Sequence, residues 1–373
     1  MFSHRLPWDL ETNPLTKLVL QKRAAGEPIL DLTESNPTHA GIVYPMNDVL
    51  PALTDPRALQ YEPTSAGLLE ARQAVSGYYG GRVPAENILL TASTSEAYGY
   101  LFKLLTDPGD EVLIPRPSYP LFEFLAALES VRAIPYRLEY DHGWFIDVPY
   151  LRSQISQRTR AVIVVNPNNP TGSFLKQKEL EQISEICAAH DLALISDEVF
   201  ADYAHREDTS RVSLAAESAA VLSFSLSGLS KVAGLPQIKL GWMAVNGPGQ
   251  ERAWQRLELI ADSYLSVSTP VQFAAARLLA MREKIQLQIC ARTRANLAAL
   301  QGRALDVEGG WYAIVRIPRT RSEEDWVLHL LSEHSVLVQP GYFFDFESEA
   351  FLVVSLLTPE VTFREGISRI MSL

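Results

Sequence analysis

The chain has 373 residues, 47% hydrophobic and 21% charged, the profile of a globular protein long enough for two domains. Its 44 Asp+Glu outnumber its 33 Lys+Arg for a net charge of −11, and no Lys/Arg run occurs, which argues against nucleic-acid and anionic-membrane partners. Two cysteines, Cys187 and Cys290, are too few for a disulfide scaffold or a cysteine-based metal centre, and no signal-like or membrane-length apolar run is present, so a cytoplasmic protein is expected.

Ser65 is placed to cap a helix running through LLEARQAVSGYY to the stop at Gly80-Gly81. Residues 88–90 read as a short strand. Thr94 or Ser95 then opens an apolar helix, EAYGYLFKLL, ended by DPGD. A strand over 111–115, a helix over 121–128 and a strand over 131–138 follow. Residues 161–165 are continuously apolar, the mark of a strand buried on both faces. Residues 176–190 are amphipathic, with Leu180, Ile183, Ile186 and Cys187 on one stripe. Further buried strands are predicted at 193–196 and 221–225. Repeated strand–helix–strand units imply a mostly parallel α/β sheet between helices.

The pattern changes after Gly241. A helical region spans about 249–300 with a break near 266–270. Strands at 312–317, 336–338 and 351–355 and a helix over 324–332 complete the chain. These suggest a smaller α+β domain. The turn-rich first 40 residues return to pack on it. The expected division is a large domain, 41–271, and a small domain built from 1–40 and 272–373.

Ligands of open α/β sheets bind beyond the carboxyl ends of the strands, and four groups lie at such ends. Ser93-Thr94-Ser95 offers hydroxyls and backbone N–H groups at a helix N-terminus, a phosphate-binding arrangement. Asn169 lies in NPNNPTG (166–172) after a buried strand. Asp197 closes the apolar run ALISD, where burying an unpaired carboxylate is costly and a cationic partner is called for. Lys231 follows the small loop SGLS. Taken singly, these are an N-cap, a turn, a rim carboxylate and a solvated lysine. Asn, Asp and Lys in this order at successive strand ends suit a pyridoxal-phosphate site.

Together the segments resemble the class I/II aminotransferases, the fold-type I pyridoxal-phosphate enzymes, from Tyr61 to the last strand. YEPTSAGLLEAR is similar to the element whose tyrosine reaches the phosphate of the partner subunit's cofactor, which maps to Tyr61 and implies a homodimer. TASTSEA resembles the phosphate-cradling loop, mapping to Ser93 and Thr94. PSYP supplies the ring-stacking Tyr119. The resemblance further implies Asn169 at the ring 3-oxygen, Asp197 at the ring nitrogen, and Lys231 with Ser230 in SGLSK. In that reading Lys231 carries pyridoxal 5'-phosphate as a Schiff base and serves as the proton-transfer base of an aminotransferase. An amino donor and a 2-oxo acid acceptor are the implied substrates. A lyase on the same fold, or a non-catalytic ligand sensor, are the competing readings.

Three positions depart from the family pattern. Phe200 stands where a tyrosine bonds the ring 3-oxygen, and Lys239 where an arginine holds the phosphate. Val353, in FLVVSLLTPE, stands where an arginine clamps the substrate α-carboxylate. Either another cation takes over, Arg316 being one candidate, or the substrate lacks a free carboxylate there. Trp311, Tyr312 and the segment Tyr342-Phe343-Phe344 are candidate pocket walls.

Overall fold

The computed structural model describes residues 2–6, 11–215, 220–348 and 350–372. Thirteen strands are named here in chain order. They are β1 (Leu30–Asp31), β2 (Ile88–Thr91), β3 (Glu111–Arg116), β4 (Arg132–Tyr140), β5 (Trp144–Ile146), β6 (Thr159–Val165) and β7 (Ala193–Asp197), followed by β8 (Ser223–Gly228), β9 (Gly241–Asn246), β10 (Tyr312–Arg316), β11 (Val336–Leu337), β12 (Gln339–Pro340) and β13 (Phe351–Ser355).

Eight strands form the central sheet in the order β2-β9-β8-β7-β6-β3-β4-β5. Neighbours from β8 through β4 pair in parallel, whereas β9 and β5 run against the others. The apolar runs foreseen at 161–165 and 193–196 are buried on both faces because helices cover both. Ile163 and Ile195 pack in a core with the Thr94–Leu105 and Gln250–Asp262 helices. Their neighbours Val162, Val164 and Leu194 face the Gln177–His190 helix, whose Leu180, Ile183, Ile186 and Cys187 form the foreseen stripe. Alternate residues of one strand thus serve two cores.

The remaining strands make a three-stranded sheet, β10-β13-β12, and a parallel pair, β1 with β11. The Pro14–Ala24 helix packs on the Glu323–His334 helix, so the first residues do return to the later part of the chain. They contain a helix as well as the expected turns. The Asn13 side chain caps it, accepting from the Thr16 N–H at 2.8 Å.

Several predicted boundaries are corrected. Ser65 caps no helix. The Leu69–Tyr78 helix starts at an uncapped Leu68, whose N–H is satisfied instead by the buried Gln272 side chain at 2.6 Å. The Thr94–Leu105 helix does open at Thr94, with Ser93 as its cap. The long helical region breaks near 266–270 as expected and again at Met281, giving Thr269–Ala280 and Arg282–Ala299. Residues 336–340 form two short strands in different sheets rather than one. No helix among the described residues is long and apolar enough to cross a membrane, and they hold no His/Cys/Asp/Glu group suited to a metal.

Candidate active site

The parallel strands β6, β7 and β8 end side by side, with Val165 opposite Asp197 and Asp197 opposite Leu226 in the sheet register. A cavity of about 920 Å³ opens beyond these ends. Ser93, Thr94, Tyr119, Asn169, Asp197, Phe200, Ser230, Lys231 and Lys239 all line it. Nine of the ten residues assigned to the cofactor site from the sequence are therefore brought together. Tyr61 is the tenth. It lies 66% exposed outside the cavity lining.

The asparagines of NPNNPTG are separated by what they bond. Asn166 donates to the Val212 carbonyl and accepts from the Leu175 N–H, both at 3.0 Å. Asn168 donates to the Pro117 carbonyl and Thr171 hydroxyl and accepts from Ser118, each at 3.0 Å. Both hold the loop in place. Asn169 is buried and lines the cavity, yet its Oδ1 has no partner in the protein.

Asp197 is 8% exposed and accepts from the Val199 N–H and the Tyr98 hydroxyl, both at 3.2 Å. Burial pushes its carboxyl up to about 6, against the opposing pull of those bonds and of Lys231. Lys231 sits in the one-turn Leu229–Val232 helix after β8. Its carbonyl accepts from the Tyr203 hydroxyl at 2.6 Å, fixing the turn. Its Nζ lies 4.7 Å from the Trp311 ring centroid and 5.3 Å from that of Phe200. Desolvation lowers its amine to about 8, although Asp197 favours the charged form. An amine brought this close to neutrality can act as a base or a nucleophile.

At the other end of the cavity, Ser93 Oγ accepts from the Glu96 N–H at 3.2 Å, and Glu96 Oε2 accepts from the Ala92 N–H at 2.6 Å. This reciprocal cap leaves the N–H groups of Thr94 and Ser95 at the open end of the helix. Gly241 abuts that end: a Cβ there would lie 2.9 Å from the Ser93 carbonyl carbon and 3.1 Å from the Thr94 nitrogen. Lys239 lines this region from a left-handed conformation, φ 60°.

Sequence reasoning missed Tyr98, Tyr203 and Gln339. A tyrosine on the buried face of an apolar helix needs a partner for its hydroxyl, and that signal pointed to Tyr98. Of the aromatic candidates, Tyr312, Phe343 and Phe344 line the cavity, Trp311 is fully buried behind Lys231, and Tyr342 is 42% exposed. Arg316 is not among the lining residues. It faces a separate cleft, its guanidinium 5.5 Å over the Tyr140 ring.

An α/β sheet with a lysine, an aspartate and a helix N-terminus converging on one cavity suits a pyridoxal-phosphate enzyme. Residues 27–370 match the model of aminotransferase class I and II, and the chain belongs to that family. It is 31% identical over 267 residues to the glutamate-pyruvate aminotransferase AlaA of Escherichia coli (strain K12), covering 70% of this chain and 66% of that protein. The chain thus spans just under two thirds of that curated relative. The Haemophilus influenzae AlaA is 28% identical over 366 residues, 92% of this chain and 90% of the relative. The crystal structure of an aminotransferase from Escherichia coli superposes with a TM-score of 0.86 at 26% identity, covering 99% of this chain and 96% of that one. The family cofactor is pyridoxal phosphate. The cavity-lining Asn169, whose side-chain NH2 is a donor suited to a ring oxygen, the buried Asp197 and the glycine-cleared helix end fit it.

Proposed function

We propose that the chain is a cytoplasmic, homodimeric pyridoxal-phosphate-dependent aminotransferase, moving an amino group from an amine donor to a 2-oxo acid. The observation that carries this reading is the pairing of a desolvated Lys231 with a buried Asp197 across one cavity. When bound, the cofactor withdraws electrons from the carbon next to the substrate amine. Asp197 would keep a proton on the ring nitrogen. Asn169 would bond the ring oxygen, and Tyr119 would cover the ring face. Ser93, Thr94, Ser230 and Lys239 would hold the phosphate, together with Tyr61 of the partner subunit. Lys231 would attach the cofactor and then move the substrate proton at its Nζ. Phe200 supplies no hydroxyl and instead packs its ring edge-on to Trp311, with centroids 5.2 Å apart.

Residues 41–271 form the proposed cofactor-binding domain, and 1–40 with 272–373 the smaller one. Support comes from β1 pairing β11 across more than 300 residues of chain. The test is spectroscopic and chemical. Purified protein should show the absorption band of lysine-bound cofactor, and Lys231→Ala should lose it. Turnover should require a 2-oxo acid. Acceptor-independent turnover would favour elimination chemistry and overturn the transaminase reading.

A further inference from the structure

Lys231 is held at both of its ends by one residue behind the cavity. Tyr203 is 1% exposed, and its hydroxyl donates to the Lys231 carbonyl at 2.6 Å. Burial raises that hydroxyl well above its ordinary 10, so it stays a donor at any pH near neutrality. The Tyr203 ring meets the Trp311 ring edge-on with centroids 5.0 Å apart, and Trp311 in turn lies 4.7 Å from Lys231 Nζ. The buried indole nitrogen of Trp311 has no hydrogen-bond partner, so packing, with Phe200 and Tyr203 as its ring neighbours, fixes that ring. Tyr203 is itself anchored, since its carbonyl accepts from the N–H of Gly310, the residue before Trp311, at 2.8 Å. Tyr44 makes a matching bond in the same loop, its hydroxyl donating to the Gly234 carbonyl at 2.6 Å. That bond is alike in chemistry and length but falls three residues beyond Lys231.

We propose that Tyr203 is a positioning residue for Lys231, holding the turn through its hydroxyl and the Trp311 support of Nζ through its ring. This inference rests on the pyridoxal-phosphate reading above. A single helical turn has too few internal bonds to fix its own geometry. Without the Tyr203 hydroxyl, the Lys231 carbonyl keeps the Gly234 N–H at 3.1 Å, a bond within the turn that ties it to nothing outside. The amine then moves with its turn and admits water, and a better hydrated amine favours its charged form. The charged groups lining the cavity with Lys231 are Asp197 and Lys239, while Asp202, Cys290 and Tyr44 lie beside Tyr203. Exchange of Tyr203 for phenylalanine leaves all of them in place.

The experiment adds pyridoxal phosphate to the cofactor-free protein at a series of pH values and follows the growth of the absorption band of lysine-bound cofactor. The uncharged amine is the attacking form, so the rate rises as Nζ loses its proton, at about 8. Tyr203→Phe should raise that midpoint by about half a unit, read as about threefold slower attachment at about pH 7. Tyr44→Phe should leave the midpoint unmoved, although each variant loses one buried hydrogen bond and both should lower the urea unfolding midpoint alike. An equal shift in Tyr44→Phe would overturn the proposal, because it would mark a general loosening of the loop. Absence of any Lys231-dependent band in the natural protein would defeat the underlying reading and the proposal together. A normal band with an unmoved midpoint in Tyr203→Phe would defeat the proposal alone.

Discussion

Asp197 holds a charge where the fold allows it little water, and this has a measurable consequence for the cofactor-free protein. Its carboxyl moves from the ordinary 3.8 to about 6 because burial outweighs its two hydrogen bonds and Lys231. The folded state therefore binds this proton more tightly than the unfolded chain. Stability falls as pH rises between these two values, and the cost is fully present above about pH 6. At about 1.4 kcal/mol per unit, the shift corresponds to a cost on the order of 1–3 kcal/mol at neutral pH. Asp197→Asn keeps the shape and removes the charge. The apoprotein variant is expected to be more stable than the natural protein at pH 8 by that order, with the difference vanishing below about pH 4. Urea denaturation at several pH values checks this. The same variant should lose transamination, because an amide cannot hold the proton on a ring nitrogen. A residue whose removal stabilises the empty protein while abolishing activity is one whose location is set by function.

Among the secondary-structure elements, the Thr94–Leu105 helix and β9 meet so closely that the first residue of the strand must be glycine. A methyl at Gly241 would press on the Ser93 and Thr94 backbone, which cannot rotate away as a flexible side chain could. Gly241→Ala is expected to destabilise the protein by about 1–3 kcal/mol through overpacking. By pushing the helix end out of place, it should also speed pyridoxal-phosphate release, read as the cofactor dissociation rate. Gly77, whose added Cβ would meet nothing within 4 Å, is the control that should leave release unchanged. The same elements explain what the sequence revealed and what it hid. Strands β6 and β7 were legible because burial on both faces demands unbroken apolar runs, and the site residues at their ends were legible by position. The direction of β9 was not, because nothing in GWMAVN distinguishes a parallel from an antiparallel neighbour. Trp144–Ile146 was too short to give a period, and the Glu360–Met371 helix at the chain end was passed over. Tyr98 and Gln339 escaped notice because their roles arise from contacts between distant segments. The Tyr98–Asp197 bond joins residues 99 positions apart, and Gln339 reaches the cavity from a strand of the separate three-stranded sheet.

For the molecule as a whole, the outward-facing apolar residues carry information beyond the single chain. Between positions 43 and 69 the fold exposes Val43 (73%), Met46 (67%), Leu50 (60%), Leu59 (92%) and Leu69 (54%), with Tyr61 among them. Isolated exposed apolar residues are ordinary, but so many in a short span suit a surface covered by another protein. Tyr61 sits there, away from the cavity of its own chain, so its proposed role at the phosphate requires a second copy. Mixed dimers test this. In a dimer of one Tyr61→Ala protomer and one Lys231→Ala protomer, one site lacks both groups. The other combines the intact Lys231 of the first protomer with the intact Tyr61 of the second. Co-expression and two-tag purification of the mixed dimer should therefore recover about half the activity of the natural enzyme, since one of two sites is whole. The separate homodimers should be inactive for Lys231→Ala and impaired in cofactor retention for Tyr61→Ala. If instead the Lys231-bearing site in the mixed dimer retains the Tyr61→Ala defect, Tyr61 acts within its own chain. The exposed segment would then need a different occupant.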